Sequence, residues 1–402
     1  MAQRIHPVEF VAIMAMMMAS VAFSIDSMLP ALPDMARDLQ LEDANDIQLV
    51  LSMFMIGMGL GTFFTGPLSD SFGRKTIILL GVAIYLLGTV LAWRAPTLDL
   101  LVAARMLQGL GAAAPRIIAI AIIRDLHSGR DMARLVSFVM MVFTIFPAIA
   151  PLVGAWIVGF SSWHGIFIAF MIFVLIGSSW FTLRIEEPLP KERRRPFRVI
   201  SIVHAAREML GIQMVRLTLV VQVLIMSTMF ITISLIEPAF TQVFDRSTQF
   251  PYWFFALGML AGTSSLVNAT LVGRYGMRKI ITFVLSCFLV LSAAMLLFHL
   301  FGPRGLPYFV AYLVWQAAVY YQIGMTMGNL NALAMEPVGH IAGLAASVIG
   351  AVSTISSAIL STLVAQTFNG TILPQLLSSF VLSGLALLVM LRVNHLERHK
   401  DQ

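Results

Sequence analysis

Four ionisable side chains interrupt long apolar stretches of the sequence: Asp26, Arg105, Arg116 and Glu237. Burying a charge in an apolar medium is costly, and an ionisable residue inside a membrane segment is a functional candidate by default. A carboxyl group can lose its charge by binding a proton, which is what proton coupling requires. We therefore start from these residues and ask which elements must position them.

The composition predicts a membrane protein. The 402 residues are 59% hydrophobic and 11% charged, whereas soluble domains are about 45–50% apolar and about 25% charged. Twelve apolar runs lie between residues 8 and 392, each long enough to cross a bilayer core of about 30 Å, which takes about 20 residues. We predict an all-α integral membrane protein with twelve transmembrane helices.

The longest polar interruption divides these runs into six and six. We predict an N-terminal six-helix bundle at 1–183, a cytoplasmic linker at 184–211 and a C-terminal six-helix bundle at 212–402. Most of the 26 Lys and Arg residues fall in segments that are cytoplasmic if both termini are. The positive-inside rule therefore favours two cytoplasmic termini.

One short motif occurs in both halves. LSDSFGRK (68–75) recurs weakly as LVGRYGMRK (271–279), with Gly273 in place of Asp70. A half-chain repeat is typical of transporter folds that have a pseudo-two-fold axis. The repeat predicts that the two bundles are pseudo-symmetric.

The depths of Asp26 and Arg105 match in the predicted spans. Asp26 lies near the outer end of the first span, and Arg105 lies about seven residues into the fourth, which descends from outside. An ion pair would keep Asp26 charged, and its loss would favour the protonated form. Asp26 is thus a candidate for proton coupling, or alternatively a helix-end group facing the outer water. Arg105 is a coupling partner or a structural strut.

The other two charges leave more than one interpretation open. Arg116 follows Arg105 by about three helical turns. It could receive an anionic substrate, neutralise a carboxylate or pair with backbone. Glu237 precedes Pro238 near the outer end of the seventh span and has a place similar to that of Asp26. It is a second proton-site candidate or an interfacial carboxylate.

Three uncharged residues are candidates for a substrate cavity. Gln316 and Tyr320 are one turn apart in the tenth span and would line a cavity or join helices as polar contacts. Phe143 would belong to an adaptable apolar pocket, although most Phe and Met residues of such a chain face core or lipid.

The stretch GPLSDSFGRKTIILLG, from Gly66, concentrates charge between the second and third spans. Gly66 and Gly73 allow close approach of helices and a tight turn. Arg74 is within reach of a nearby carboxylate, and Asp125, at the end of the fourth span, is the candidate. The plain alternative is a positive-inside anchor with a local ion pair.

These motifs resemble the major facilitator superfamily. The loop beginning at Gly66 looks like the family's signature loop, and LVAARMLQGLGAA (101–113) resembles its fourth-helix motif. PAIAPLVGAW (147–156) resembles the fifth-helix antiporter motif, with Pro147, Ala150 and Ala155 where glycines are usual. IDSMLPALPDMA (25–36) and AGLAASVIGAVSTISSAI (342–359) are similar to the Bcr/CflA-type branch of drug-resistance transporters.

The resemblance implies roles for two sets of residues. Asp70, Arg74 and Asp125 would form a charge relay that latches the cytoplasmic side in the outward-open state. The fifth helix, with Pro147, Pro151 and Gly154, would be a hinge and an ion seal, or simply a packed and kinked helix.

The function expected from the resemblance is proton-coupled export of small amphipathic compounds or drugs by alternating access. The alternative is a proton-linked importer of a small metabolite. No Walker A motif, metal-ligand cluster or nucleophile elbow is present in the sequence, so we expect no enzyme, no cofactor other than the proton and no metal. We expect a monomer in a bacterial inner membrane whose partners are substrate, protons and lipid, and no nucleic acid.

Overall fold

The structure, a computed structural model, describes residues 5–194 and 196–398. All regular elements in those ranges are helical. Eleven stretches are long and apolar enough to cross a membrane, and one of them, Leu306–Ala365, contains two helices. The prediction of twelve membrane-spanning helices is therefore confirmed for the described part of the chain.

The chain forms two compact units, residues 1–202 and 203–402, and the division falls inside the predicted linker. The helices of the first unit are α1 Pro7–Asp26, α2 Leu32–Asp38, α3 Leu49–Phe72, α4 Arg74–Trp93, α5 Leu98–Leu126, α6 Gly129–Phe160 and α7 Trp163–Arg184. The short helix α8 Val199–Gly211 follows in the linker, where no membrane-spanning run was expected.

The second unit continues with six long helices. They are α9 Gln213–Pro238, α10 Phe250–Tyr275, α11 Met277–Phe301, α12 Leu306–Met335, α13 Ala342–Ala365 and α14 Leu373–Arg398. One hydrophobic core among its described residues is built by α9, α11, α12 and α14. The fully buried members of this core include Val221, Ile225, Ile281, Leu285, Leu330, Ala386, Met390 and Val393.

Glycine allows α3 and α5 to touch backbone to backbone. A Cβ atom on Gly57 or Gly61 of α3 would overlap a main-chain carbonyl of α5, and one on Gly109 of α5 would overlap the carbonyl of Phe54. Lipid tails are as apolar as side chains, so helices in a membrane associate through this kind of close packing. The α3–α5 pair is therefore closely packed, and it holds polar groups of the first unit in position.

The motif repeat appears in the backbone. Gly73 separates α3 from α4 with φ 102°, and Gly276 separates α10 from α11 with φ 81°. Positive φ is available to glycine at little cost. The two halves therefore keep the same tight turn at the same place, although their charges differ.

The first span differs from the expected single run at 8–32. Its α-helix ends at Asp26, and a 3₁₀ turn at Leu29–Ala31 and the short helix α2 follow. Pro30 and Pro33 lack the N–H groups that would continue the helix. Asp26 is therefore the last residue of α1, and it is buried, with 5% of its surface exposed.

We predict that Gly57→Val destabilises the protein and Gly159→Ala does not. The valine would push α3 away from the Met106 carbonyl, whereas a Cβ on Gly159 meets nothing within 4 Å. Overpacking of this kind costs about 1–3 kcal/mol. The apparent Tm of the purified variants in detergent checks this, and equal Tm values would contradict the close packing described.

Candidate functional site

Arg74 is held by two carboxylates. Its Nη1 lies 2.5 Å from Asp70 Oδ1, and its Nε lies 2.8 Å from Asp125 Oδ2. Nη1 also donates to Ser69 Oγ at 2.6 Å. The side chain of Asp70 is 43% exposed and that of Asp125 is 18% exposed. Both ion pairs expected from the sequence are formed, and the pair with Asp125 is the better shielded.

The turn at Gly73 positions Asp70 and Arg74 for this contact. Asp70 and Arg74 are four residues apart on either side of Gly73, and Gly66 lies one turn before Asp70, where its carbonyl accepts from Ser69 Oγ at 2.8 Å. A Cβ on Gly73 would lie 2.7 Å from Glu187 Oε2. Glycine is therefore required here both for its backbone conformation and for the space it leaves.

Glu187 and Lys75 join this turn to the end of α7. Glu187 accepts from the backbone N–H of Arg74 at 2.8 Å and from that of Lys75 at 3.0 Å. In return, Lys75 Nζ donates to the carbonyls of Thr182 and Ile185 at 2.8 and 3.1 Å. The carboxylate thus caps the N-terminus of α4 and the ammonium caps the C-terminus of α7, each at the helix end that favours its charge.

The two carboxylates expected to carry protons have equivalent places. Asp26 is the last residue of α1, and Glu237 is the penultimate residue of α9, the first long helix of the second unit. Each is buried, with 5% of its surface exposed. Thr241 donates a hydrogen bond to Glu237. Asp26 makes no hydrogen bond or ion pair with any described residue.

The expected ion pair between Asp26 and Arg105 is wrong for this structure. Arg105 Nε donates to the carbonyl of Val50 at 3.1 Å, and Nη2 donates to the carbonyl of Ser24 at 2.9 Å. Asp26 is two residues beyond Ser24, which is about 200° around the helix. No hydrogen bond or ion pair joins the Asp26 carboxylate to the Arg105 guanidinium, whose donors go to main-chain carbonyls and to Gln108.

Arg105 instead serves as a buried strut. Its side chain is fully buried, Nη1 donates to Gln108 Oε1, and its guanidinium lies 4.4 Å from the centre of the Phe54 ring. Gln108 Nε2 donates to Thr89 Oγ1 at 2.8 Å. A separate hydrogen bond of 2.5 Å joins Ser24 Oγ to the hydroxyl of Tyr85. This network ties α1, α3, α4 and α5 together.

Arg116 has none of these partners. Its Nη1 lies 3.9 Å from the sulfur of Met58, a weak acceptor. No carboxylate of the described residues lies within ion-pair distance of it. Of the interpretations left open by the sequence, neutralisation of a protein carboxylate and pairing with backbone are not what this structure shows.

The predicted cavity residues divide between two environments. Gln316 is fully buried and donates to Tyr312, whose hydroxyl donates to Gln375 Oε1 at 3.2 Å. Gln316 therefore bonds within α12, and Tyr312 carries the contact to α14. The ring of Tyr320 packs against that of Phe254, and both Tyr320 and Phe143 are half-buried. Their cavity roles stay predictions.

The fifth-helix motif lies inside α6. Pro147 and Pro151 are both within the helix, and Pro151 is buried. A Cβ on Gly154 would overlap the main-chain carbonyl of Ser27. The motif thus brings α6 into backbone contact with the residue that follows Asp26, which is the close packing that glycine permits.

Comparison with known proteins identifies the family. Residues 11–361 match the Major Facilitator Superfamily. The chain belongs to this superfamily. Among curated relatives, it is 28% identical to the uncharacterized MFS-type transporter YdgK of Bacillus subtilis, over 85% of this chain and 84% of the relative. It is 29% identical to a bicyclomycin resistance protein homolog of Haemophilus influenzae, over 88% of each.

Further similarities agree with a transporter rather than an enzyme. Multidrug resistance protein D of Escherichia coli is 30% identical over 41% of each chain. The crystal structure of a D-xylose-proton symporter superposes with a TM-score of 0.72 at 14% identity, covering 95% of this chain and 97% of the symporter. That likeness establishes the major facilitator fold. The drug-resistance relatives agree with the branch indicated by the motifs.

We predict that Asp125→Asn lowers stability more than Asp70→Asn. Asp125 is the better shielded partner of Arg74, and losing a hydrogen bond to a charged group costs about 1.5–3 kcal/mol. The half-exposed Asp70 pair contributes less than about 1 kcal/mol. Apparent Tm values of the two variants in detergent test the order, and the reverse order would contradict the geometry.

Glu187→Gln should loosen the turn at Gly73, because an amide offers one acceptor oxygen where the carboxylate offers two. We expect faster tryptic cleavage after Arg74 and Lys75, and a stability loss of about 1–3 kcal/mol. Glu186→Gln is the matched control, since Glu186 is exposed and next in sequence. Equal cleavage rates in the two variants would remove Glu187 from the turn.

Proposed function

We propose that this major facilitator protein exports small amphipathic compounds, including drugs, in exchange for protons. We place it in the inner membrane of a bacterium, with both termini in the cytoplasm. Export of this kind uses the proton gradient and no ATP. Support for the substrate class comes from the relatives whose names record bicyclomycin or multidrug resistance.

The observation that carries the proposal is the buried, unpartnered carboxylate of Asp26. An ionised carboxylate without a hydrogen-bond donor is costly in a water-poor site, and protonation removes that cost. The position is therefore sensitive to whether a proton or water reaches it. A change of solvent access between transporter states would change its protonation, which is the requirement for coupling.

Proton and substrate would act on one conformational equilibrium. A ligand shifts an equilibrium only by the difference in its affinity for the two states, and coupling between two ligands is reciprocal. A proton taken up from outside on Asp26 would favour the inward-facing state. Substrate binding from the cytoplasm would favour proton release. Glu237, at the equivalent helix end of the second unit, is the second site for the same exchange.

The relay of Asp70, Arg74 and Asp125 would set the resting state. With all three residues charged and paired, the cytoplasmic loop is stabilised in the conformation of this structure. We assign that conformation of the loop to the outward-open state. Substrate binding must then supply the free energy that loosens the Arg74 pairs before the cytoplasmic side opens.

A proton-linked importer is the second candidate. The departures from the antiporter motif at Pro147, Ala150 and Ala155 leave it open, whereas the likeness to a xylose-proton symporter establishes fold alone. The two directions differ in one observable. An antiporter releases protons when substrate binds, and a symporter takes them up or leaves them unchanged.

The test is proton release on addition of compounds to purified protein. The protein is placed in unbuffered detergent with a pH-sensitive dye, and cationic, neutral and anionic drugs are added. We expect release with at least one class, abolished in Asp26→Asn and reduced in Glu237→Gln. Asp99→Asn, which removes an exposed carboxylate, should behave as wild type.

Two results would overturn the proposal, and a third would overturn the role of Asp26 in it. Proton uptake would favour the importer. Binding without any proton change would indicate a symporter or an uncoupled carrier. If Asp26→Asn still released protons as wild type does, Asp26 would be only a helix-end residue, and Glu237 would be the remaining candidate for the proton site.

A further inference from the structure

Arg116, which is half-buried, differs from the two buried arginines described above in what surrounds its guanidinium. Arg74 is paired with two carboxylates, and Arg105 donates to two carbonyls and an amide. Arg116 reaches only the Met58 sulfur. Its Nε and Nη2 are neither hydrogen-bonded nor sealed from solvent. Most of the five N–H donors of a guanidinium therefore remain available.

Arg116 lies well inside its helix. It is ten residues before the end of α5 at Leu126 and eighteen after its start at Leu98, or about 15 and about 27 Å from the two ends. An ionisable side chain at such a position in a membrane helix faces a protein interior or an aqueous cavity. The free donors of Arg116 therefore need water or a ligand.

An anion satisfies these donors better than any neutral group. The guanidinium presents a planar fork that matches a carboxylate or phosphate in a bidentate arrangement, and charge-assisted hydrogen bonds are about twice as strong as neutral ones. The apolar Met58 beside it adds an adaptable surface suited to the hydrophobic part of a ligand. Cation and thioether together form a site for an amphipathic anion.

We propose that Arg116 is the residue that binds an anionic group of the substrate. The substrate class is then a small amphipathic compound bearing a carboxylate or a similar anion. The inference rests on the proposed transport function only in taking the bound compound to be the transported one. Binding at Arg116 does not depend on the direction of transport or on protons.

The experiment compares carboxylates with their own amides. Benzoate, 4-butylbenzoate and 1-naphthylacetate, and the primary amide of each, are titrated into the purified full-length protein by calorimetry at fixed pH and salt. We expect at least one carboxylate to bind ten-fold or more tightly than its amide. In Arg116→Gln that preference should fall to less than three-fold, while the affinity for the amide stays within three-fold of wild type.

Arg94→Gln is the matched control, because it removes the same charge from an exposed residue and should keep the preference. If Arg116→Gln does not elute as a folded protein, Arg116→Lys decides: the lysine keeps the charge and loses the fork, and the preference should fall at least three-fold. A preference that persists unchanged in the Arg116 variant overturns the proposal. So does the absence of any carboxylate preference in wild type, including no binding at all.

This test separates the two proposals. Carboxylate binding that depends on Arg116 but releases no proton would uphold the anion site and overturn proton antiport. Proton release with cationic or neutral drugs, together with no carboxylate preference, would uphold antiport and overturn the anion site.

Discussion

A buried guanidinium without a protein counter-ion is the constraint on which the first unit is organised. An arginine at the centre of a membrane helix costs about 3 kcal/mol on insertion scales, and more if its donors stay unpaired. Arg105 meets this cost with main-chain carbonyls of α1 and α3, the Gln108 amide and the Phe54 ring. Because the acceptors are backbone, they cannot change protonation. The strut is therefore independent of pH, and Asp26 is not part of it.

Three of the charged residues on helix α5 have three different kinds of partner. Arg105 is saturated by backbone, Asp125 is paired with Arg74, and Arg116, between them, has only a thioether. The hydrogen bonds from Arg105 to backbone stabilise the helix packing whether or not a ligand is bound. The pair of Asp125 with Arg74 stores free energy that a conformational change must overcome. Arg116 has donors that only a ligand or water can fill. One helix thus carries the buried strut, one partner of Arg74 and the proposed anion site at successive positions, so a shift of α5 along its axis would affect all three at once.

An interaction could be predicted from the sequence where it is local and made by side chains. Asp70 and Arg74 are four residues apart around a glycine, so their pairing could be predicted, and Asp125 ends the neighbouring span. The depth of a residue along its helix could also be predicted. The partners that a side chain finds around the helix could not, and for this reason the predicted Asp26–Arg105 pair was wrong. The acceptors of Arg105 are backbone atoms, which carry no sequence signal. Glu187 was missed because a charged linker is usually solvated, and nothing local indicates that it caps α4.

The repeat shows which part of the turn is structural and which part carries charge. Gly73 and Gly276 share a positive φ, so both copies of the motif keep the same backbone. In the first copy, a Cβ on Gly73 would collide with Glu187 and Arg194, whereas one on Gly276 would meet nothing within 4 Å. Gly273 stands where the first copy has Asp70. The first turn is thus held by a relay and a cap as well as by its backbone conformation. Because Gly273 carries no carboxylate, the Asp70–Arg74 pair has no counterpart in the second copy, and the feature that the two copies share is the glycine turn rather than the charge.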